Sequence, residues 1–425
     1  MKLRINTLRT FFFAVHLFLC GSCCAQTPVV ISNSLPLQEQ MRNKNAIYVI
    51  RNTIDLKGAS VVIPQGCTLK FEGGVLKNGN ITYNGTFIEG NYKIYCICNG
   101  TVSNDIVEPH MYGARGDGIT DDAYAIQQSI NSGKKIIFRR GTYLVDSPIY
   151  FDRQNFIVDF NFAIIKKVNE KGCDFKYENY DFNKIPCIIL IKPYETNTSG
   201  HIVIKNLILE GGKNNIGIHA IWCRNVILEN VRIFWAIQGL VYGGFTNTFR
   251  DVTIWDCKEG FVIKNSIATL FERCFSSNCG WSLSKATGVT LLSCSSDDFN
   301  PCYYFSDSSV SMVGCTFESK GTGLIANNST VNISGDFETH IYDATRNLIY
   351  LKAINNSTID VNSGVFHLNN YLKKKIPQTY CFEVLDNSNI TIRGKVSHGD
   401  YFCIKKEPNS SFSLNGNFLN DGVKY

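Results

Sequence analysis

Short runs of alternating apolar and polar residues recur about every 21 residues between His201 and Gly335. A second strand-like segment in most repeats begins at a glycine. A period in the twenties built from such segments predicts a solenoid, and two or three short strands per turn predict a parallel β-helix. Leucine-rich repeats share the period, but their Leu-x-x-Leu-x-Leu frame is absent. The equivalent corner positions are Asn230, Asp251, Arg273, Ser293, Gly314 and Gly335.

The alternation within each repeat predicts which side chains face outward, because successive strand residues point to opposite sides. The first and third residues after each corner are small or apolar and are predicted to face inward, as in Cys294 and Ser296. The outward column carries two aromatic residues and two acids, spaced by roughly 4.8 Å, the distance between neighbouring strands. Such a wall resembles a saccharide groove. The predicted column is Phe234, Trp255, Ser277, Asp297, Glu318 and Thr339.

The N-terminus has the arrangement of a cleaved secretory signal over residues 1–25: basic residues, an apolar run and small residues. Cleavage after Ala25 is favoured over lipoprotein processing at Cys23. The protein is therefore expected to be secreted, periplasmic or on the cell surface. No other stretch approaches the eighteen apolar residues that a membrane span needs.

The charge and cysteine content of the chain bear on nucleic-acid binding, zinc binding and disulfide formation. The chain has 42 basic and 36 acidic residues, and three of the bases lie in the signal, so the mature excess is about three. Such a balance gives no electrostatic case for nucleic acid. Three of the 17 cysteines also lie in the signal, and no Cys/His cluster has zinc spacing. Cys274, Cys294 and Cys315 are predicted to be stacked, buried thiols rather than disulfides.

The rest of the chain divides by pattern. Residues 26–45 are predicted to form a polar leader, 46–110 irregular N-terminal β coils or a cap, and 111–425 the β-helix. Beyond Gly335 the period is interrupted at 339–347 and 368–379, which are predicted to be loops on the flank of the solenoid.

The segment Gly116-Asp-Gly-Ile-Thr-Asp-Asp122, with Ala125-Ile-Gln127 after it, resembles the signature of the pectate lyase superfamily, in the branch of rhamnogalacturonase-like and epimerase-like proteins and phage tailspikes. The resemblance implies an all-β fold, a right-handed parallel β-helix with a short N-terminal capping helix, and a bias toward acidic or complex polysaccharides. A tailspike-like relative would be a homotrimer. Thr120 to Asp122 are interpreted as the helix cap rather than as catalytic residues.

The resemblance does not specify a reaction. The Gly-His-Gly and Arg-Ile-Lys elements of polygalacturonases are absent, which argues against that activity. No cofactor is predicted for hydrolysis. A pectate lyase mechanism would require Ca²⁺, for which Asp297, Asp298 and Glu318 are the candidate ligands, with Arg273 as a weak candidate base.

Asp297 and Glu318 are the predicted catalytic residues. Two carboxyl groups on adjacent coils raise each other's proton affinity and so can divide acid and base work. Retaining glycosidases place such groups at about 5 to 5.5 Å and inverting ones at roughly 6.5 to 9.5 Å, and adjacent coils suit the shorter class. The structural alternative is that both are solvated surface acids.

Five further residues are predicted to bind substrate, each with a structural alternative. Phe234 and Trp255 offer flat apolar faces to sugar rings, or only fill space beneath a loop. Arg273 suits a uronate or sulfate, although a salt bridge to Glu272 or a neighbouring acid is the stronger reading. Asp298 also suits a turn. His340 suits acid–base work or a surface hydrogen bond.

Three functions follow from these residues. The first is a secreted protein that cleaves a polysaccharide, with uronate-containing polymers among the candidates, by hydrolysis or β-elimination. The second is a non-catalytic glycan-binding or surface-structural β-helix. The third, an epimerase of polymer-bound uronate, would need an acid and a base on opposite sides of the sugar carbon.

Overall fold

The protein is a right-handed parallel β-helix, as predicted, in a computed structural model that describes residues 27–132, 134–152, 155–167, 176–177, 180–181, 186–191, 201–341, 349–370, 382–398, 404–415 and 418–419. The predicted signal and most of the two predicted late loops lie outside these residues. Each coil contributes up to three strand segments, and every segment pairs in parallel with its equivalents in the neighbouring coils.

Two of the three faces meet at the predicted corner residues. In several coils one strand runs through both faces, because a single left-handed residue such as Asn230 or Asp251 turns the chain without ending the hydrogen bonding. The strands of these two faces are Ile106–Val107, Asp117–Asp121, Lys135–Ile137, Thr142–Val145, Phe156–Asp159, Ile164–Lys167, Ile202–Glu210, Val226–Phe234, Thr248–Trp255, Leu270–Glu272, Phe275–Ser277, Thr287–Leu292, Ser295–Phe299, Ser309–Val313, Thr316–Ser319, Thr330–Ser334, Phe337–Ile341, Thr358–Asn370, Asn389–His398, Ser411–Asn415 and Phe418–Leu419.

The third face closes each coil. Its strands are Ile149–Phe151, Cys187–Ile191, Ile216–Arg224, Gln238–Phe245, Glu259–Ile267, Trp281–Ser284, Tyr303–Ser306, Thr322–Asn327, Ile349–Ile354, Phe382–Val384 and Ile404–Lys406. A separate antiparallel pair is formed by Lys176–Tyr177 and Tyr180–Asp181.

The N-terminal region forms its own seven-stranded parallel sheet. It begins earlier than the predicted polar leader allows, since Val29 pairs with Tyr48 and the side chains of Ile31, Leu37 and Met41 are buried. These three apolar residues, spaced widely among polar ones, anchor the segment to the core. The elements are the strands Val29–Val30, Ile47–Ile50, Thr53–Asp55, Ser60–Val62, Thr68–Phe71, Val75–Gly90 and Lys93–Val102, and the helix Leu37–Gln40.

The helix predicted from the glycine-rich segment spans Ala123–Asn131, after a 3₁₀ helix at Pro109–Tyr112. Ile126 and Ile130 are buried, as the apolar stripe predicts. The cap differs in detail from the prediction. Asp121 accepts the amide of Ala123, whereas the carboxylate of Asp122 is buried and accepts the amides of Arg115 and Gly116 in the preceding turn. None of the helices in the described ranges has the length and apolar character that a bilayer crossing requires.

The inside of the solenoid is filled by columns of stacked side chains. Phe249 and Phe271 lie one coil apart with ring centroids at 4.8 Å, and Phe261 stacks on Trp281 at 3.7 Å. Because each inward side chain is covered by the coils above and below it, the coils stabilise one another rather than folding singly.

Cys274, Cys294 and Cys315 form a buried column of free thiols, as predicted. Burial raises the pKa of Cys294 well above its usual value, and thiol reactivity requires the thiolate. We expect iodoacetamide to leave all three unmodified in the native protein and to alkylate all three in denaturant, as read by peptide mass spectrometry. Resistance to alkylation in denaturant without reductant would instead indicate disulfides.

Candidate functional site

The predicted outward column exists on the second of the three faces, and it is called the wall column below. Phe234 pairs with Trp255, Trp255 with Ser277, Ser277 with Asp297 and Asp297 with Glu318. The alignment of repeats by their period is therefore confirmed over five coils. Asp297 and Glu318 are neighbours on adjacent strands, with backbones roughly 4.8 Å apart.

The prediction is wrong for the last member of the column, Thr339. Thr339 is fully buried and pairs with Phe317, and His340 lies beside Glu318 instead. The corner at Gly335 is followed by one extra residue, Asp336, before the inward Phe337. A shift of one residue exchanges the inward and outward sides of a strand. The structure thus brings His340 into the wall, next to the two predicted acids.

Asp297 is the most perturbed carboxyl group of the wall. The pKa of Asp297 is raised to about 6, first by burial and then by the negative charges of Glu318 and Asp298, while His340 acts in the opposite direction. Glu318 is exposed. Nε2 of His340 lies 2.9 Å from Oε1 of Glu338. Asp297 therefore keeps its proton closer to neutral pH than an ordinary aspartate does, whereas Glu318 beside it is open to solvent. Two carboxyl groups in such different environments can take different roles in proton transfer.

The raised pKa of Asp297 predicts a pH-dependent stability. The unfolded value is about 3.9, so the native state binds more protons between roughly pH 4 and 6 and its stability falls as pH rises through that window. Asp297 is partly exposed, so the loss after solvent screening is about 1 kcal/mol. The Asp297→Asn protein should therefore be about 1 kcal/mol more stable than wild type at pH 7 and equally stable at pH 4.

Urea unfolding of both proteins at the two pH values measures this. The difference between them isolates Asp297 from Asp122, whose pKa is also raised by burial to about 6. Identical pH dependence of wild type and variant would show that Asp297 ionises in the native protein as it does in the unfolded chain.

An aromatic cluster is built around Phe234 and Trp255 of the wall column, on the same face as the acids. The rings of Phe234 and Trp255 are stacked, with centroids 4.9 Å apart and planes inclined by 11°. Phe275 meets Trp255 edge-on at 5.9 Å. Trp235, which the sequence analysis missed, lies 5.6 Å from Phe234 with 46% of its surface exposed. The Phe-Trp doublet at 234–235 was the available signal, because other coils place Asp or Asn at this second position.

Arg273 does not join the wall column. It occupies a corner, where it donates two hydrogen bonds of 2.9 Å to the carboxylate of Asp251 and also contacts Glu272. The salt-bridge alternative is therefore the observed one. The guanidinium group of Arg273 is occupied by its bidentate contact with Asp251 and its contact with Glu272.

Asp298 takes the turn-forming alternative. Its backbone is left-handed with φ of 60°, at the corner after Asp297, and its carboxylate lies 3.7 Å from Nζ of Lys320. Among the described residues no three His, Cys, Asp or Glu side chains are grouped closely enough to hold a metal ion.

The fold and the wall place the chain among the right-handed parallel β-helix proteins. It is similar to the gp42 tailspike of Acinetobacter phage vb_AbaP_AS12, with 18% identity and a TM-score of 0.59 over 76% of this chain and 64% of the tailspike. The chain thus spans slightly less than two thirds of that tailspike's length. It is also similar to PfbA, a surface adhesin of Streptococcus pneumoniae, with 15% identity and a TM-score of 0.53 over 74% of this chain and 90% of the adhesin.

At these identities the likeness concerns the fold. No protein-family model matches the chain, and no curated protein is detectably similar to it.

Proposed function

We propose that this chain is a glycan-acting β-helix that hydrolyses a polysaccharide laid along the wall column, outside the cytoplasm. The observation that carries the proposal is the pairing of Asp297, whose pKa is about 6, with the exposed Glu318 on the next strand. Glycoside hydrolysis requires such a pair: one carboxyl group that keeps its proton and one that is ionised.

Asp297 is assigned as the general acid. Its proton passes to the glycosidic oxygen as the bond to the anomeric carbon breaks, so the leaving sugar departs as a neutral hydroxyl. Glu318 is assigned as the nucleophile. The spacing of adjacent strands suits direct attack of Glu318 on the anomeric carbon, after which water, deprotonated by Asp297, releases the sugar with retention. His340, which pairs with Glu318 on the following strand, is proposed to contact the bound sugar.

Hydrolysis is favoured over epimerisation because the wall presents its acids side by side. Epimerisation requires an acid and a base on opposite sides of one carbon. Elimination is the remaining alternative. It can be distinguished from hydrolysis by spectroscopy, because it leaves an unsaturated sugar that absorbs in the ultraviolet.

A second function, glycan binding without cleavage, is supported by a different observation. The similarity to the adhesin PfbA extends over 90% of that protein, more than for the tailspike. The aromatic cluster beside the acids would serve adhesion as well as catalysis.

The deciding experiment incubates the mature protein with neutral and uronate-containing polysaccharides and follows reducing ends and absorbance near 235 nm, the region of unsaturated uronates, in parallel with Asp297→Asn and Glu318→Gln. New reducing ends without absorbance, lost in both variants, support hydrolysis. An increase in absorbance would show that the reaction is elimination and not hydrolysis. Binding with no change in either channel would establish the adhesive function instead.

A further inference from the structure

A row of corner residues runs alongside the wall column, one residue further along each coil. Its members in successive coils are Trp235, Asp256, Asn278 and Asp298. All four have left-handed backbones, with φ between 52° and 60°. The amide of each of the first three donates to the carbonyl of the wall residue in the next coil, as Trp235 does to Trp255. The row is therefore fixed in register with the wall column.

Trp235 does not suit this conformation. Asn and Asp adopt the left-handed region readily, because their short polar side chains bond locally, whereas a bulky residue there is strained. The side chain of Trp235 is also half exposed, so burial does not compensate the strain in full. A strained, exposed aromatic residue beside a candidate site is the pattern of a residue retained for binding.

The cluster formed by Phe234, Trp235 and Trp255 is called the aromatic platform. Trp235 is exposed, and Phe234 and Trp255 are partly exposed. Such rings match the apolar C–H face of a pyranose, as aromatic side chains pack on flat apolar surfaces. Trp255 lies two strands from Asp297, a distance of roughly 10 Å along the solenoid axis. A glycan that places one ring on the platform would extend parallel to the axis and present a linkage about two sugars away to Asp297.

Charge around the platform limits which sugars fit. We consider the outward side chains of this face and of its corner row, from the coil of Phe234 to the coil of His340, which all lie in the described stretch 201–341. These side chains include more acids than bases. Lys320 is already near Asp298, at 3.7 Å. An excess of carboxylates repels a polyanion. The acids are Asp256, Asp297, Asp298, Glu318 and Glu338, and the bases are Arg232 and Lys320.

We infer that the aromatic platform is a binding subsite for an uncharged pyranose and that the substrate is a neutral polysaccharide running along the solenoid axis, with Trp235 as its specificity-determining residue. This inference rests on the proposed function for the position of the cleaved bond. The binding subsite itself can be tested without cleavage.

The experiment measures binding of neutral hexasaccharides of glucose, galactose, mannose, xylose and N-acetylglucosamine, and of hexagalacturonate, by calorimetry in the Asp297→Asn background. Adding Trp235→Asn should weaken the best neutral ligand about tenfold, the value of one stacking contact. It should not lower the Tm, because Asn suits the left-handed corner. Trp222→Asn is the matched control: Trp222 is also exposed and left-handed, but lies on the third face.

The outcomes separate the two proposals. Equal binding by the Trp235→Asn and Trp222→Asn proteins, or no binding of any neutral hexasaccharide, overturns the platform. Tighter binding of hexagalacturonate overturns the neutral substrate. If Asp297→Asn still cleaves the ligand while Trp235→Asn weakens it, the platform stands and the assignment of Asp297 falls.

Discussion

Replacing Asp297 by Asn should lower kcat on the cleaved polysaccharide by roughly 10²- to 10⁴-fold, the usual contribution of a positioned general acid. The amide is similar in size to the carboxyl group but cannot give up a proton to the leaving oxygen. KM should change little, because binding depends on the aromatic platform. In wild type the acid must be protonated, so kcat should fall as pH rises through about 6, the pKa of Asp297.

Initial rates of reducing-end release between pH 4 and 9 measure both effects. Asp307→Asn is the matched control, since Asp307 is an exposed aspartate at a left-handed corner outside the wall column, where it accepts a hydrogen bond from Asn328. The control should retain wild-type kcat. An Asp297→Asn protein with more than a tenth of wild-type kcat would remove Asp297 as the acid.

Replacing Trp281 by Ala should lower the free energy of unfolding by about 3–5 kcal/mol. Trp281 is 1% exposed, stacks on Phe261 at 3.7 Å and meets Phe271 edge-on at 5.3 Å. The cavity left by the indole cannot close easily, because the coils on both sides are held by continuous strand pairing.

Denaturant unfolding measures this loss, with Trp255→Ala as the matched control. Trp255 belongs to the wall and is only partly buried, so its removal should cost markedly less. If the two variants lose equal stability, the inward position of Trp281 and the outward position of Trp255 are in error.

The repeat period allowed much of the wall to be predicted from the sequence. Ser276 and Ser296 are polar, yet both are fully buried and hydrogen-bonded to each other between adjacent coils at 2.9 Å. They could be assigned inward only because they occupy the same position in consecutive repeats as Ile233 and Ile254. The adjacency of Asp297 and Glu318 follows from the same alignment, since parallel pairing converts equal position into contact.

Local irregularities could not be predicted from the period. One added residue at Asp336 moved His340 into the wall, because an alignment that assigns faces by a fixed distance from the corner residue does not allow for a single insertion. Trp235 was missed because the alternation describes strand residues, whereas this side chain lies at a corner whose left-handed conformation favours Asn or Asp. Ile31, Leu37 and Met41 were missed because three apolar residues spaced by six and four show no strand or helix period.

The titration of the Asp297 carboxyl group tests the coupled acid pair most directly, and it needs no knowledge of the substrate. Carbon-13 NMR of protein labelled at the aspartate carboxyl carbon, with the signal assigned by its absence in Asp297→Asn, gives the pKa in wild type and in Glu318→Gln. A wild-type midpoint near 6 that moves to lower pH when the charge of Glu318 is removed is the predicted result. A midpoint near 4, or one that Glu318→Gln leaves unchanged, would contradict the pairing on which the proposed chemistry rests.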